Sequence, residues 1–292
     1  MTHRGSWPSP GSVALACSLL VALTGCVGFG PLRGQATDEW TKTYPLARGG
    51  GGEVRIVNTN GKVEIEGVDG STVEVHAVRI AKAPTDEGAR QLLPRISIKE
   101  DIKPDRVSIE TERLAGIMIA AGFEVQYHVK APKAASVYAR STNGPITLSA
   151  LSGRVNAQTT NGGVKASELR GGVEARATNG GVNVDLAALG ADKIQLSTTN
   201  GGVTLLLPET AKADLTATWT NGGINLASGL KIEVSEQSRR RFEGRMNGGG
   251  TPIELRTTNG GIRVRGRADA ESGSAPDVQT PERGTLKTLK RE

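Results

Sequence analysis

Over a length of 292 residues the chain carries 36 lysines and arginines against 30 aspartates and glutamates, a formal net charge of +6. The cations are spread along the chain rather than gathered into a stripe, so composition gives a nucleic-acid partner no support and favours only weak attraction to anionic envelope polymers or lipid headgroups. Glycine is abundant at 39 residues while aromatic residues make up 3%, the profile of a turn-rich chain with a thin core.

The first element is an export signal. Arg4 precedes an apolar run over residues 13–23, interrupted by Ser18, which ends in Leu23-Thr24-Gly25-Cys26. An apolar stretch this short does not make a permanent membrane span, and small residues ahead of a cysteine suit a peptidase that needs an uncrowded cleavage segment. The tetrad resembles the lipobox of bacterial lipoproteins. Residues 1–25 are therefore expected to form a signal peptide, with Cys26 as the acylated, palmitate-bearing N-terminus that holds the protein to a membrane. Cys17 leaves with the signal, so no free thiol remains for catalysis, a disulfide or a metal. Val27 stands where enteric lipoproteins retained at the inner membrane carry aspartate, which favours the outer membrane and leaves open which side the protein faces. Residues 26–52 end in four glycines, lack apolar periodicity and read as a flexible tether with a reach on the order of 30 Å.

Residues 53–142 read as a strand-rich section that caps one end of the repeat-bearing region. Extended runs are expected at 73–80, 96–99, 107–110 and 123–130, with a short helix near 86–93.

A repeat organises the chain. Asn-Gly recurs at Asn60, Asn143, Asn161, Asn179, Asn200, Asn221 and Asn259, each time in the same local pattern. Threonine precedes every one of these asparagines, and valine or isoleucine follows three residues later. The positions six before, four before and five after are apolar in every copy. Polar residues alternate with them, such as Arg140, Gln158, Arg176, Thr218 and Arg256 on the first arm. Alternation of this kind means strands with one face buried, and Asn-Gly supplies the positive φ of a sharp corner.

Two architectures accommodate the unit. Asn-Gly between alternating runs is a strong hairpin pattern. The other solution is a β-solenoid in which each repeat is one coil, stacked on the next at about 4.8 Å. The solenoid is preferred, because identical Thr-Asn pairs at seven corners gain a purpose only if stacking aligns them into ladders. The steps of 18, 18, 21 and 21 residues from Asn143 to Asn221 are also those of coils that change length at the opposite corner. The fold class is thus all-β, a β-solenoid of stacked 18–21-residue coils over 143–265 with Thr-Asn-Gly corners. The stretch between Asn221 and Asn259 contains Arg239-Arg240-Arg241 and a glycine loop, and reads as an extended corner or an irregular extra coil. Residues 266–292 are polar and read as a disordered tail.

Chemistry-bearing constellations are sparse. His76 and His128 lie in separate strand runs, and a metal site needs three or four convergent donors, so no metal is expected. Glu168, Glu174, Asp185, Asp192 and Glu254 fall in different columns and corners, or, like Glu174 and Glu254, share a column several repeats apart. That is not the paired-carboxylate arrangement of glycosidases, and no catalytic residue or cofactor is expected. The corners carry asparagine rather than the aspartate of calcium-binding repeats. Arg140, Arg176 and Arg256 share an outward column and, with Trp219, make a candidate binding face. For Trp219 itself the favoured alternative is a plug beneath the long stretch after Asn221.

At residue level the chain resembles the DUF4097 group of bacterial adhesin-type proteins. The resemblance rests on the serial Thr-Asn-Gly-Gly-Val units, on Leu207-Pro208-Glu209-Thr210 leading into a coil, and on Gly248-Gly249-Gly250 followed by Thr257-Thr258-Asn259-Gly260-Gly261-Ile262. It spans residues 53–266. It implies an envelope-located, adhesive or interaction-bearing domain and supplies no catalytic residues. Together these readings describe a non-enzymatic, lipid-anchored binding protein that engages an envelope polymer or protein. The alternatives are a scaffold that self-associates through the solenoid ends and, third, a polysaccharide-processing enzyme.

Overall fold

The computed structural model describes residues 32–46, 52–112 and 121–267. Cys26, the signal segment and nearly all of the 266–292 tail lie outside the described residues.

In chain order the N-terminal elements are β1 (Gly34–Pro45), β2 (Glu53–Asn60), β3 (Val63–Val68), β4 (Thr72–Ala83), helix α1 (Asp86–Leu92), β5 (Ile98–Lys103), β6 (Arg106–Thr111) and β7 (Gly122–Pro132). The repeats come next as β8 (Ser136–Asn143), β9 (Ile146–Ser149), β10 (Val155–Asn161), β11 (Val164–Leu169), β12 (Val173–Asn179), β13 (Val182–Leu186), β14 (Ile194–Asn200) and β15 (Val203–Leu207). The chain closes with β16 (Ala213–Asn221), β17 (Ile224–Leu226), β18 (Ile232–Gln237), β19 (Arg241–Met246), β20 (Thr251–Asn259) and β21 (Ile262–Gly266).

Each Thr-Asn-Gly corner joins a strand of one sheet to a strand of the other, so the corner is not a hairpin turn. Sheet A runs β1-β4-β7-β3-β9-β11-β13-β15-β21-β17, and sheet B runs β18-β19-β16-β20-β14-β12-β10-β8-β2-β6-β5. Within the stack, equivalent positions pair in parallel register, as in Ala157 with Ala139 and Ala175, and Val164 with Ile146 and Val182. The columns six and four before each asparagine and three and five after it face inward. They are buried throughout the middle coils, with Val155, Ala157, Val164, Ala166, Ile194, Leu196, Val203 and Leu205 all 3% exposed or less. The buried inward residues are small at Ala157, Ala166 and Ala175 and large at Leu196, Leu205 and Leu255.

Spatial order departs from sequence order at both ends. β6 and β7 form a coil outside that of β2 and β3, although they come later in the chain. At the other end β20 and β21 slot between the β14–β15 coil and the β16–β17 coil. The stretch expected to be an extended corner or irregular coil is thus an outward excursion. β18 and β19 add antiparallel strands beyond β16, and the chain then returns to fill the gap.

Two boundaries drawn from the sequence need correction. Gly34–Pro45, expected to belong to a flexible tether, forms β1 and pairs with β4 along its whole length. Its alternation is of mostly polar residues, since only one face of this outer strand touches the rest, so no apolar periodicity marks it. The solenoid also does not begin at 143, because β2 and β3 stack in register on β8 and β9. The expected helix is α1, capped by Thr85, whose hydroxyl accepts from the Gly88 amide at 3.1 Å, and anchored by buried Ala89 and Leu92.

Candidate functional site: the corner ladder and the outer face of sheet B

The corners are built from three interlocking contacts. Asn143 donates from Nδ2 to Oδ1 of Asn60 at 2.8 Å, and the same bond repeats from Asn161 to Asn143, Asn179 to Asn161, Asn200 to Asn179, Asn259 to Asn200 and Asn221 to Asn259. The ladder follows the spatial order, with Asn259 between Asn200 and Asn221. The backbone runs the opposite way, since the Gly162 amide donates to the Asn179 carbonyl at 3.0 Å and that of Gly180 to Asn200 at 2.9 Å. A Cβ at Gly180, whose φ is +152°, would lie 2.1 Å from the Gly162 carbonyl oxygen, so only glycine lets successive corners approach this closely.

The third contact was not evident in the repeat pattern. The residue two before each asparagine faces inward and is buried, yet it is polar in Asn58, Ser141, Thr159, Thr198 and Thr257. Thr159, Thr198 and Thr257 donate their hydroxyls to the corner glycine carbonyls of Gly144, Gly180 and Gly201 at 3.0, 2.7 and 2.9 Å. Burial of these hydroxyls is thereby compensated, except at Ser141, whose Oγ has no partner among the described residues. Trp219 occupies this same inward column and is 8% exposed, so it is not part of a binding face. It fills the last coil, where its neighbour in the column four before the corner is only Ala217, and its amide donates to the Arg240 carbonyl at 3.0 Å.

Outward, sheet B presents three parallel rows running along the stack. The threonines immediately before the asparagines form one row beside the corners, exposed from Thr160 onward. The middle row reads, by register, Arg140, Gln158, Arg176, Ser197, Arg256, Thr218 and Arg241. Arg140, Arg176 and Arg256 are thus brought to one line as expected, and Arg241 of the triple-arginine run joins them. A groove lies between these two rows, walled by Arg140, Gln158, Arg176 and Arg256 on one side and Thr160, Thr178, Thr199 and Thr258 on the other. The third row holds Tyr138, Asn156, Glu174, Gln195, Glu254, Thr216 and Glu243.

Charges in the two rows are partly matched. Glu174 accepts from Arg176 Nε at 2.9 Å and from Asn156 at 3.1 Å. Hydrogen bonds from Lys193 and Gln195 hold the Glu254 carboxyl below its ordinary range. Pairing with Glu243, and beyond it Glu236, raises the Arg241 guanidinium further above its already high range. Among the described residues Arg140 and Arg256 form no ion pair.

Two sequence readings change here. Glu174 and Glu254 are separated by a single strand, β14, because β20 inserts beside it. A general acid requires a carboxyl whose affinity for its proton is raised, whereas that of Glu254 is lowered. His76 and His128 are direct cross-strand neighbours, their ring centroids 6.0 Å apart, with His128 Nδ1 2.6 Å from Glu64 and His76 Nε2 3.3 Å from Glu39. Among the described residues no group of three or more histidines, cysteines or acids is arranged to hold a metal ion.

The Toastrack DUF4097 family model matches residues 97–265, more than half of the chain. The chain belongs to this family. The matched Toastrack segment takes in β5 through nearly all of β21, within the span over which the sequence resembles the group. Two solved structures are similar: a candidate cell adhesion protein from Clostridium sporogenes, 14% identical with a TM-score of 0.46, covering 80% of this chain and 100% of that one; and a candidate adhesin from Bacteroides fragilis, 9% identical with a TM-score of 0.38, covering 78% and 97%. Curated proteins give no match to this Toastrack chain.

Proposed function

We propose that this Toastrack protein is a non-catalytic binding protein of the cell envelope, anchored through a lipid on Cys26, whose working surface is the outer face of sheet B. The observation that carries this reading is the register. It converts isolated polar residues of successive repeats into continuous rows of Arg, Gln, Ser and Thr along a groove, which suits many weak contacts made at once. The lipobox-like Leu23-Thr24-Gly25-Cys26 supports the anchor, and Val27 supports outer-membrane placement.

The test has two arms. Labelled palmitate should enter the wild type and not Cys26→Ala, with the wild type sedimenting in the outer-membrane fraction. Whole-envelope binding by the purified chain should fall when Arg140, Arg176 and Arg256 are all replaced by Gln. Label surviving in Cys26→Ala contradicts the anchor, and unchanged envelope binding contradicts the face.

A further inference from the structure

Along the middle row of sheet B the arginines occupy every second strand. Arg140 lies on β8, Arg176 on β12, Arg256 on β20 and Arg241 on β19, while the strands between carry Gln158, Ser197 and Thr218. Adjacent strands stand about 4.8 Å apart, so the guanidinium groups recur at about 9.6 Å. The short uncharged residues between them offer hydrogen bonds without charge. Beside this row runs the threonine row, and the groove between the two lies across the strands, parallel to the stack.

From this spacing we infer that the groove binds a linear polysaccharide carrying one carboxylate on every second sugar, laid along the stack. This inference rests on the binding role proposed for sheet B and names the ligand. Carboxylate is the partner that a guanidinium fork grips with two parallel hydrogen bonds. Two strands match the length of one disaccharide, so each acidic sugar meets an arginine. Within the groove, which runs from Arg140 to Arg256, each neutral sugar then meets Gln158 or Ser197, and its hydroxyls reach the threonine row. A polymer with a carboxylate on every sugar would place half of its charges over residues that have no cation to meet them. Surface partners such as Glu174 at Arg176 do not block this, because surface ion pairs are weak and exchange readily. Among the described residues Arg140 and Arg256 make no direct salt bridge, although Arg256 lies near enough to Glu254 to act on its charge.

The experiment uses the full-length protein in detergent micelles with length-matched oligomers of hyaluronan, polygalacturonate and dextran, which carry a carboxylate on alternate sugars, on every sugar and on none. Hyaluronan should bind at least about tenfold more tightly than polygalacturonate, and dextran should not bind. Arg176→Gln and Arg256→Gln should each weaken hyaluronan by about threefold or more. Installing charge at the intervening strands, with Gln158→Arg and Ser197→Arg together, should shift the preference toward polygalacturonate, a gain that no folding defect produces. If the wild type prefers polygalacturonate, and the arginine variants still weaken it, the spacing argument is overturned while the binding face stands. If arginine variants leave all binding unchanged, or none of the polymers binds, the ligand assignment is overturned; in the first case the face is lost with it, whereas in the second the envelope-binding assay decides the face separately.

Discussion

Asn179 donates from Nδ2 to Oδ1 of Asn161 at 2.8 Å and accepts at its own Oδ1 from Asn200 at the same distance. A side chain that both gives and takes along the stack explains why asparagine, and not aspartate, stands at every corner. Asn179→Ala removes two hydrogen bonds and should cost about 1–2 kcal/mol. Asn179→Asp keeps the acceptor but sets a carboxylate oxygen against Oδ1 of Asn161, so it should cost more than alanine at neutral pH. Urea denaturation of the two variants measures the difference, and an aspartate milder than alanine would contradict the donor direction.

The buried hydroxyl column makes a second comparison. Thr198 bonds the Gly180 carbonyl at 2.7 Å, whereas Ser141 is buried without a partner for its Oγ among the described residues. Thr198→Ala should therefore destabilise by about 1–2 kcal/mol, while Ser141→Ala should be neutral or stabilising. Ala177 in the same column already shows that a methyl is accommodated there. Thermal unfolding of both variants provides the check.

Core dimensions give a third. Ala175 is fully buried among small inward residues, so Ala175→Leu should cost about 1–3 kcal/mol, and Leu205→Ala should open a cavity costing about 2–5 kcal/mol. Gln158→Leu on the outer face should change stability by less than about 0.5 kcal/mol. Equal effects at 175 and 158 would mean that the faces are wrongly assigned.

The N-terminal end of the stack should respond to acid. Glu100 on β5 of sheet B accepts from Lys42 Nζ at 2.5 Å and from Tyr44 at 2.8 Å, both on β1 of sheet A. Burial pushes the Glu100 carboxyl upward, but these two donors outweigh it and hold it below the usual carboxylate range. A lowered carboxyl stabilises the folded state above its ordinary value, and that contribution disappears as pH falls through the lowered one. Protection of the β1 amides, measured against their intrinsic exchange rates at each pH, should fall as pH drops below the ordinary carboxylate range. Glu100→Gln should remove that pH-dependent step, and a step unchanged in this variant would assign it to another group.

Much of the fold was legible because period-two alternation and an invariant corner repeat are dictated by local physics. The inward columns and the corners follow from it. Stack order was not legible, since nothing in Thr257-Thr258-Asn259 says that its coil enters between two earlier ones. That order decides the site. In sequence the middle column runs Arg140, Gln158, Arg176, Ser197, Thr218, Arg256, and the alternation emerges only when Arg256 moves ahead of Thr218. Arg241 was unreadable for the same reason, since it joins the row from an antiparallel strand outside the repeat. Trp219 shares its column with small, mostly polar residues, and only its burial at the end coil tells a plug from an anchor.

The most direct test of the account is cysteine cross-linking in a chain carrying Cys17→Ser and Cys26→Ser. Thr199 and Thr258 stand on β14 and β20, which are adjacent, whereas Thr199 and Thr220 stand on β14 and β16, with β20 between them. A disulfide requires Cα atoms within about 7 Å, which adjacent parallel strands satisfy and alternate strands do not. Under mild oxidant Thr199→Cys with Thr258→Cys should bridge, and Thr199→Cys with Thr220→Cys should stay reduced. The reverse pattern would place the coils in sequence order and dissolve the alternating arginine row.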